Sequence, residues 1–414
     1  LIRTFLMIKR NKNGLPLEIK YCKKCNLINQ RNTSTNEYFH TANTVFSTVE
    51  FDEKGVCAAC NYVEKEFDNT IDWADREKEL WDLCDKNRKS NGEYDCIVPG
   101  SGGKDSVYAS HILKYKFKMN PLTITWSPHM YTEIGWTNFQ SWIHEGGFDN
   151  YLYTPNPKIH RRMSREATLR LMNPFQPFII GQKTFPLKMA AKLNIPLVFY
   201  GENSGKGGKK ISHTVKSFKD TKNQQGFELD PLKGKKFEDV YIGGKKVQEY
   251  LDEGFTKNDL RNYKPLDPNI LEEKNIDFYY LGYFLRWVPQ EMYYYAVANT
   301  DFKANPVRSE GSYTKYSSLD DIMDGFFFYT AHIKFGCGRA MQESVSEVRH
   351  GHITKEEGKA LINKFDGEYP QKYEKEFYNY ISMEKNEFLD LCDKFRPEHL
   401  WEKKSNQWVL KKPL

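Results

Sequence analysis

The sequence predicts an α/β protein built on a parallel sheet, with a cysteine-rich N-terminal module and a helical C-terminal part. Three observations predict it. Short apolar runs of strand length at 94–99, 122–126, 150–153 and 195–200 alternate with stretches of helical periodicity, the pattern of parallel βαβ units. Two C-x-x-C pairs stand ahead of them, and beyond residue 251 the pattern turns helical and aromatic. The division that follows is a zinc-binding module over 1–67, an α/β domain over 68–250 and a helical C-terminal domain over 251–414.

Composition sets wide bounds. With 414 residues the chain can bury a sizeable core and form two or three domains. Its 61 basic against 55 acidic residues give a net charge of +6, an excess that suits phosphorylated substrates without demanding nucleic acid. No apolar run approaches the length of a membrane span. The segment 1–8 is too short, and too soon followed by Lys9 and Arg10, to resemble a signal peptide, so a cytoplasmic protein with no membrane partner is expected.

Cys22-x-x-Cys25 and Cys57-x-x-Cys60 are two knuckles that together offer four thiolates. Zinc is the expected occupant, and four protein ligands leave it no open position, so the site is read as structural. The Asn- and Thr-rich stretch between the pairs would fold largely through the metal. Redox or unliganded thiols are the competing reading. Residues 68–88 form a charged amphipathic helix with Trp73, Leu80, Trp81 and Cys84 on its apolar side.

The run Ser101-Gly102-Gly103-Lys104-Asp105-Ser106 falls between the first strand and a helix expected over 107–117. Adjacent glycines let backbone amides close on an anion, the helix start adds positive potential, and Ser101, Ser106 and Lys104 add donors. Four residues do not separate its glycines, so this is not the loop of kinases and GTPases. Its order resembles the PP-loop of ATP pyrophosphatases, which implies a grip on departing pyrophosphate and a magnesium-associated Asp105. An ordinary strand-to-helix turn is the alternative.

Helices are expected next over 132–146, 162–172 and 182–193. Ligands in parallel sheets sit beyond the carboxyl ends of the strands. That rim holds the loop, the turn after Trp126 with His129, and Gly201-Glu202-Asn203. Trp126 and Gly201 are candidates for the nucleotide, and Glu202 and Asn203 for magnesium or substrate. The Gly- and Lys-rich stretch 204–246 is expected to be a mobile excursion. Further helices are expected at 279–287, 290–297, 319–335, 340–349 and 354–365, with charged helical segments from 366 onward. The run Phe326-Phe327-Phe328-Tyr329 reads as helix core.

Together the four-cysteine knuckle, the S-G-G-K-D-S loop, Gly201-Glu202-Asn203, the stretch Tyr313-Thr-Lys-Tyr-Ser-Ser-Leu-Asp-Asp321, Lys334-Phe-Gly-Cys-Gly-Arg339, Glu347-Val-Arg349 and Ile353-Thr-Lys-Glu-Glu-Gly358 resemble the bacterial N-acetyl sugar amidotransferases. The resemblance runs from about residue 21 to 370. It implies a PP-loop ATP pyrophosphatase fold, of the adenine nucleotide alpha hydrolase type. It also implies ATP, Mg2+ and structural Zn2+, and conversion of an acetamido to an acetamidino group on a surface-glycan sugar. Lys104, Asp105, Glu202 and Asn203 then carry the chemistry. Lys315, Asp321, Lys334, Arg339, Glu347 and Arg349 are candidates for the sugar, with surface ion pairs as the competing explanation. Phe335-Gly-Cys-Gly-Arg339 does not match a glutaminase nucleophile turn, so ammonia is expected from a separate partner resembling the glutaminase and cyclase pair of histidine biosynthesis. The other readings are a thiolase-type PP-loop enzyme that modifies tRNA, which would need a spare thiol such as Cys337, and a non-catalytic nucleotide-binding zinc scaffold.

Overall fold

The computed structural model describes residues 9–11, 14–30, 37, 48–203 and 236–414. Strands β1 Cys96–Pro99, β2 Pro121–Trp126, β3 Asn150–Tyr153 and β4 Leu197–Tyr200 are parallel neighbours, Ile97 pairing with Leu122 on one side and Val198 on the other. A small hairpin, β5 Tyr241–Ile242 and β6 Lys245–Lys246, precedes β7 Asp277–Tyr280, which adds in parallel to β4. The sheet order is β3-β2-β1-β4-β7. Apolar side chains alternate between its faces as strand geometry requires. Ile97, Leu122, Ile124 and Val198 point into one core, while Cys96, Val98, Leu197 and Phe199 point into another.

Helices cover both faces. Lys104–Tyr115 and Trp73–Asn87 close the second core with Ala109, Leu113 and Leu80. Pro157–Leu171 and Gln176–Leu193 cover the first, and so do Asp324–Phe335, Glu374–Ile381 and Lys385–Phe395 through Phe326, Phe377 and Phe388. Phe326 stacks on Phe377 with ring centroids 3.7 Å apart. A third core joins the cysteine module to helix Arg339–Arg349 and the C-terminal residues Leu400 and Trp401.

The expected parallel α/β architecture is therefore the observed one, with differences that have local causes. The stretch expected as helix 279–287 instead opens with strand β7, because Phe278 and Tyr280 alternate with Tyr279 in facing the two sides of the sheet. A boundary at residue 250 consequently cuts through the sheet. Part of the expected excursion is ordered: Val240 and Ile242 are buried, and Gly243 and Gly244 turn the β5–β6 hairpin with φ of 62° and 75°. Its 204–235 part lies outside the described residues. The C-terminus closes not in helix but in a hairpin, β8 Trp401–Lys404 and β9 Gln407–Leu410, turned by Ser405 and Asn406 at positive φ. Among the described residues no helix is long and apolar enough to cross a membrane.

Candidate active site at the carboxyl ends of β1 and β4

The sheet order reverses direction between β1 and β4: β2 and β3 lie to one side, β7 to the other. Such a switch point opens a crevice outside the carboxyl ends of the two strands. Both glycine motifs fall there. After β1 the chain passes through Gly100 to Gly103, and helix Lys104–Tyr115 starts at Lys104 with Gly103 as its N-cap. Gly102 has φ of 86°, and a Cβ there would lie 2.6 Å from Cα of Phe139, so only glycine fits. A Cβ on Gly103 would meet nothing within 4 Å, which leaves the amides of the first helical turn open to an anion. After β4, Gly201 sits against the loop, its missing Cβ 3.0 Å from the carbonyl oxygen of Asp105.

Lys104 Nζ lies 2.7 Å from Asp105 Oδ2, and Ser106 Oγ donates to the Gly103 carbonyl at 2.9 Å. Asn203 Nδ2 donates to the Gly282 carbonyl at 2.8 Å, and the Gly282 amide donates to the Glu202 carbonyl, tying the end of β4 to the segment after β7. The Glu202 side chain reaches the surface, yet desolvation by surrounding protein holds its carboxyl above the ordinary range. Lys183 opposes that shift and the neighbouring Asp105 charge adds to it. Two carboxylates near enough to feel one another offer the oxygen donors that a hard divalent cation takes.

A cavity of about 250 Å³ brings Lys104 and Asn203 together with Tyr316, Arg339, Glu343 and Glu347. Three of the six residues expected to contact substrate, Arg339, Glu347 and Arg349, thus line the same cavity as the loop lysine. Arg339 Nε donates to Glu343 Oε1 at 2.6 Å, and Glu343 accepts from Thr314 Oγ1 at 3.0 Å and from Ser312 Oγ. Glu347 accepts from Tyr316 at 3.4 Å and pairs with His352 Nδ1 at 2.5 Å.

Other expected site residues stand elsewhere. Lys334 is buried, with Nζ 2.7 and 2.9 Å from the two Glu37 carboxylate oxygens and 2.8 Å from the Leu171 carbonyl, so it serves a buried ion pair and not the cavity. Lys315 donates to the Pro306 carbonyl on the surface. Asp321 pairs with His129, its Oδ2 2.7 Å from both the ring Nδ1 and the backbone nitrogen. Trp126 is 4% exposed and boxed by Tyr153, Phe185 and Tyr263, with Gly181 packed on its ring, so it is core and does not line the cavity. Arg349 lines the cavity wall, but its Nη2 reaches Cys25 Sγ at 3.5 Å and Cys57 Sγ at 3.7 Å.

The sulfurs of Cys22, Cys25, Cys57 and Cys60 lie within 4.8 Å of one another, with the pairs Cys22–Cys60 and Cys25–Cys57 at 3.8 and 3.7 Å. Tetrahedral zinc with Zn–S of about 2.3 Å separates its sulfurs by about 3.8 Å, so the cluster fits the ion. Backbone amides of Lys24, Cys57 and Cys60 point at its sulfurs. Burial raises the Cys25 thiol while the Arg349 guanidinium favours its ionised form. Cys337 is buried in the same core and packs the module onto the C-terminal helices.

Asp320, Asp324 and Glu343 stand in this neighbourhood without having been among the expected site residues. Ser101 donates to the Asp320 carboxylate, whose proton affinity burial raises and the Asp321 charge raises further, with Ser101 and Arg339 opposing. Asp324, one helical turn on, is raised by burial and by Asp320 and Asp321. Glu343 anchors Arg339. The pattern Asp320-Asp321-x-x-Asp324 was the available signal, but only tertiary contact sets it beside the loop.

Residues 310–414 match the family model of the LPS biosynthesis protein WbpG-like C-terminal domain. An uncharacterized protein of Methanocaldococcus jannaschii is 36% identical over 85 residues, which are 20% of this chain and 29% of that protein, so less than a third of the relative's length is matched. Among solved structures, the NH3-dependent NAD synthetase from Campylobacter jejuni shares 15% identity over 49% of this chain and 92% of that chain, with a TM-score of 0.26. The U34-tRNA thiolase from Methanococcus maripaludis with its [4Fe-4S] cluster shares 11% over 91% and 90%, with a TM-score of 0.32.

Proposed function

We propose that this chain is an ATP-dependent amidotransferase that converts the acetamido group of an N-acetylated sugar to an acetamidino group for surface-glycan biosynthesis, releasing AMP and pyrophosphate. One observation carries the reading. The cavity that holds Lys104 of the phosphate loop is walled by Tyr316, Arg339, Glu343 and Glu347, all within the segment that matches an LPS-biosynthesis domain.

An amide carbonyl is a weak electrophile because its nitrogen donates into it. Attack by the amide oxygen on the α-phosphorus of ATP gives an O-adenylyl imidate and expels pyrophosphate. Ammonia then adds to the activated carbon, and loss of AMP leaves the amidine. The protein's share is positioning and charge stabilisation. The open amides at Gly103 and Lys104 bind the departing pyrophosphate, and Lys104 moves its charge from Asp105 to the phosphate oxygens. Asp105 and Glu202 would hold Mg2+, which would neutralise phosphate charge. Asn203 and the Arg339–Glu343 pair orient the sugar, whose hydroxyls suit fixed carboxylate and guanidinium partners.

None of the described residues lining this cavity is a cysteine, which favours nitrogen over sulfur chemistry. Ammonia comes from a separate glutaminase. The test is mass spectrometry of candidate N-acetylated sugars incubated with the protein, ATP, magnesium and ammonium. Replacement of one carbonyl oxygen by NH with AMP formed is the expected result, and glutamine alone should not replace ammonium. Absence of pyrophosphate release with every N-acetylated sugar would sink the reading.

A further inference from the structure

A second cavity, of about 70 Å³, shares Arg339 with the first. It runs from exposed Lys372 past half-buried Arg308 and Asp324 to buried Asp321 and Phe326. A water molecule's share of liquid volume is about 30 Å³, and the space is less than a third of the 250 Å³ of the first cavity. The space therefore admits a molecule of water or ammonia size and neither sugar nor nucleotide.

Its charges are unevenly partnered. Arg308 is held by both oxygens of Glu368 at 2.6 and 2.8 Å, Glu310 accepts from the amides of Gln371 and Lys372, and Asp321 is committed to His129. The Asp324 carboxylate has no hydrogen-bond or ion-pair partner among the described residues, while Phe326 and Phe328 wall the space. An unpartnered carboxylate in a narrow aromatic-walled space attracts a small cation. At the inner end the Arg339 guanidinium, held by Glu343 and lying 4.5 Å over the Phe328 ring, opposes passage of that cation but not of a neutral molecule.

We propose that this narrower cavity is the ammonia entry of the site, with Asp324 taking a proton from ammonium and Arg339 passing the neutral molecule to the cavity that holds Lys104. The inference rests on the amidotransferase reading. In the step, one N–H bond of ammonium breaks, its electron pair stays on nitrogen, and the proton goes to an Asp324 carboxylate oxygen, from which water at the outer end removes it. Burial and the charges of Asp320 and Asp321 raise the proton affinity of Asp324, and Arg339 opposes them, so the carboxylate is a better proton acceptor than one in water.

The full-length protein tests this with ammonium titrations at about pH 7 and about pH 9, and with sugar-dependent exchange of labelled pyrophosphate into ATP in the absence of ammonium. Asp324→Asn should lower kcat/KM for ammonium by about a hundredfold at the lower pH and recover much of it at the higher, where more ammonia is already neutral. Ile134→Trp, which fills the cavity from its wall, should lower it at least tenfold at both pH values while pyrophosphate exchange continues. Asn305→Trp, at another point of the lining, repeats the test if Ile134→Trp does not fold. Folded variants that keep ammonium kcat/KM within twofold of wild type, or a loss in Asp324→Asn that ignores pH, would overturn the entry route. Wild-type protein that shows no exchange with any N-acetylated sugar would overturn the parent reading, a different outcome from the first.

Discussion

Lys104 occupies a largely buried position at the first turn of a helix, where a cation gains nothing from the helix dipole, and Asp105 at 2.7 Å is its counter-charge. The pair is partly exposed, so its net contribution to stability is small, below about 1 kcal/mol. Its value lies in what Lys104 can turn toward. Lys104→Ala should leave the melting temperature nearly unchanged and lower pyrophosphate formation by about 10²–10³-fold, the usual cost of removing one fixed charge-stabilising donor. A variant with full activity removes the loop from the mechanism. Asp320 makes a complementary case. Its folded carboxyl holds a proton more tightly than an ordinary one at 3.8, so the favourable protonated state is fully present at pH below that value and is lost as pH rises through the folded value. Asn at this position can still accept from Ser101 but carries no charge to desolvate. The melting temperature of Asp320→Asn, compared with wild type, should therefore improve steadily from about pH 4 to about pH 8. A difference that stays constant over that range would contradict the account.

At the scale of elements, the cysteine module is docked on the C-terminal helices and not merely strung ahead of the sheet. Cys22, Cys25 and Cys57 share a core with Met341, Val345 and Trp401, and Arg349 caps the sulfurs from helix Arg339–Arg349, the helix that also presents Arg339 and Glu347 to the cavity. Zinc bound by four thiolates would thus fix one wall of the site at a distance. Cys25→Ser should lower zinc content and melting temperature together, the latter by several degrees, and, on the amidotransferase reading, should raise KM for the sugar more than for ATP, because the helix carries the wall away from the phosphate loop. Retained zinc with unchanged sugar KM would show the two to be independent. What was legible in the sequence follows the same division. The loop after β1, Gly201 after β4 and both C-x-x-C pairs are local patterns, and each stands where its spacing placed it. Lys334 was not legible, because its partner Glu37 is 297 residues away, and neither was the burial of Trp126, which depends on Gly181 letting a helix lie against its ring. β7 was masked by its own aromatics, which suit a strand and a buried helix equally.

The whole molecule does not divide where its sequence pattern changes. The face of the sheet formed by Ile97, Leu122, Ile124 and Val198 shares one core with Met323, Phe326, Phe377, Tyr380 and Phe388, so the C-terminal helices cover the sheet and are covered by it. The cavity at Lys104 inherits this arrangement, since one wall comes from residues near 104 and another from residues beyond 310. A chain that ended at residue 309 would leave that face without Phe326 and Phe377, two fully buried rings stacked on each other. Truncation of one such ring costs about 3–5 kcal/mol, a large part of the 5–15 kcal/mol by which proteins are usually stable. Phe377→Ala in the full chain should therefore lower the denaturation midpoint sharply while the transition stays single. The 1–309 fragment should lack a cooperative transition altogether, as read by near-UV circular dichroism against denaturant. A sharp transition in that fragment would restore a separable C-terminal domain, and with it an active site assembled by docking two independent units instead of folding as one.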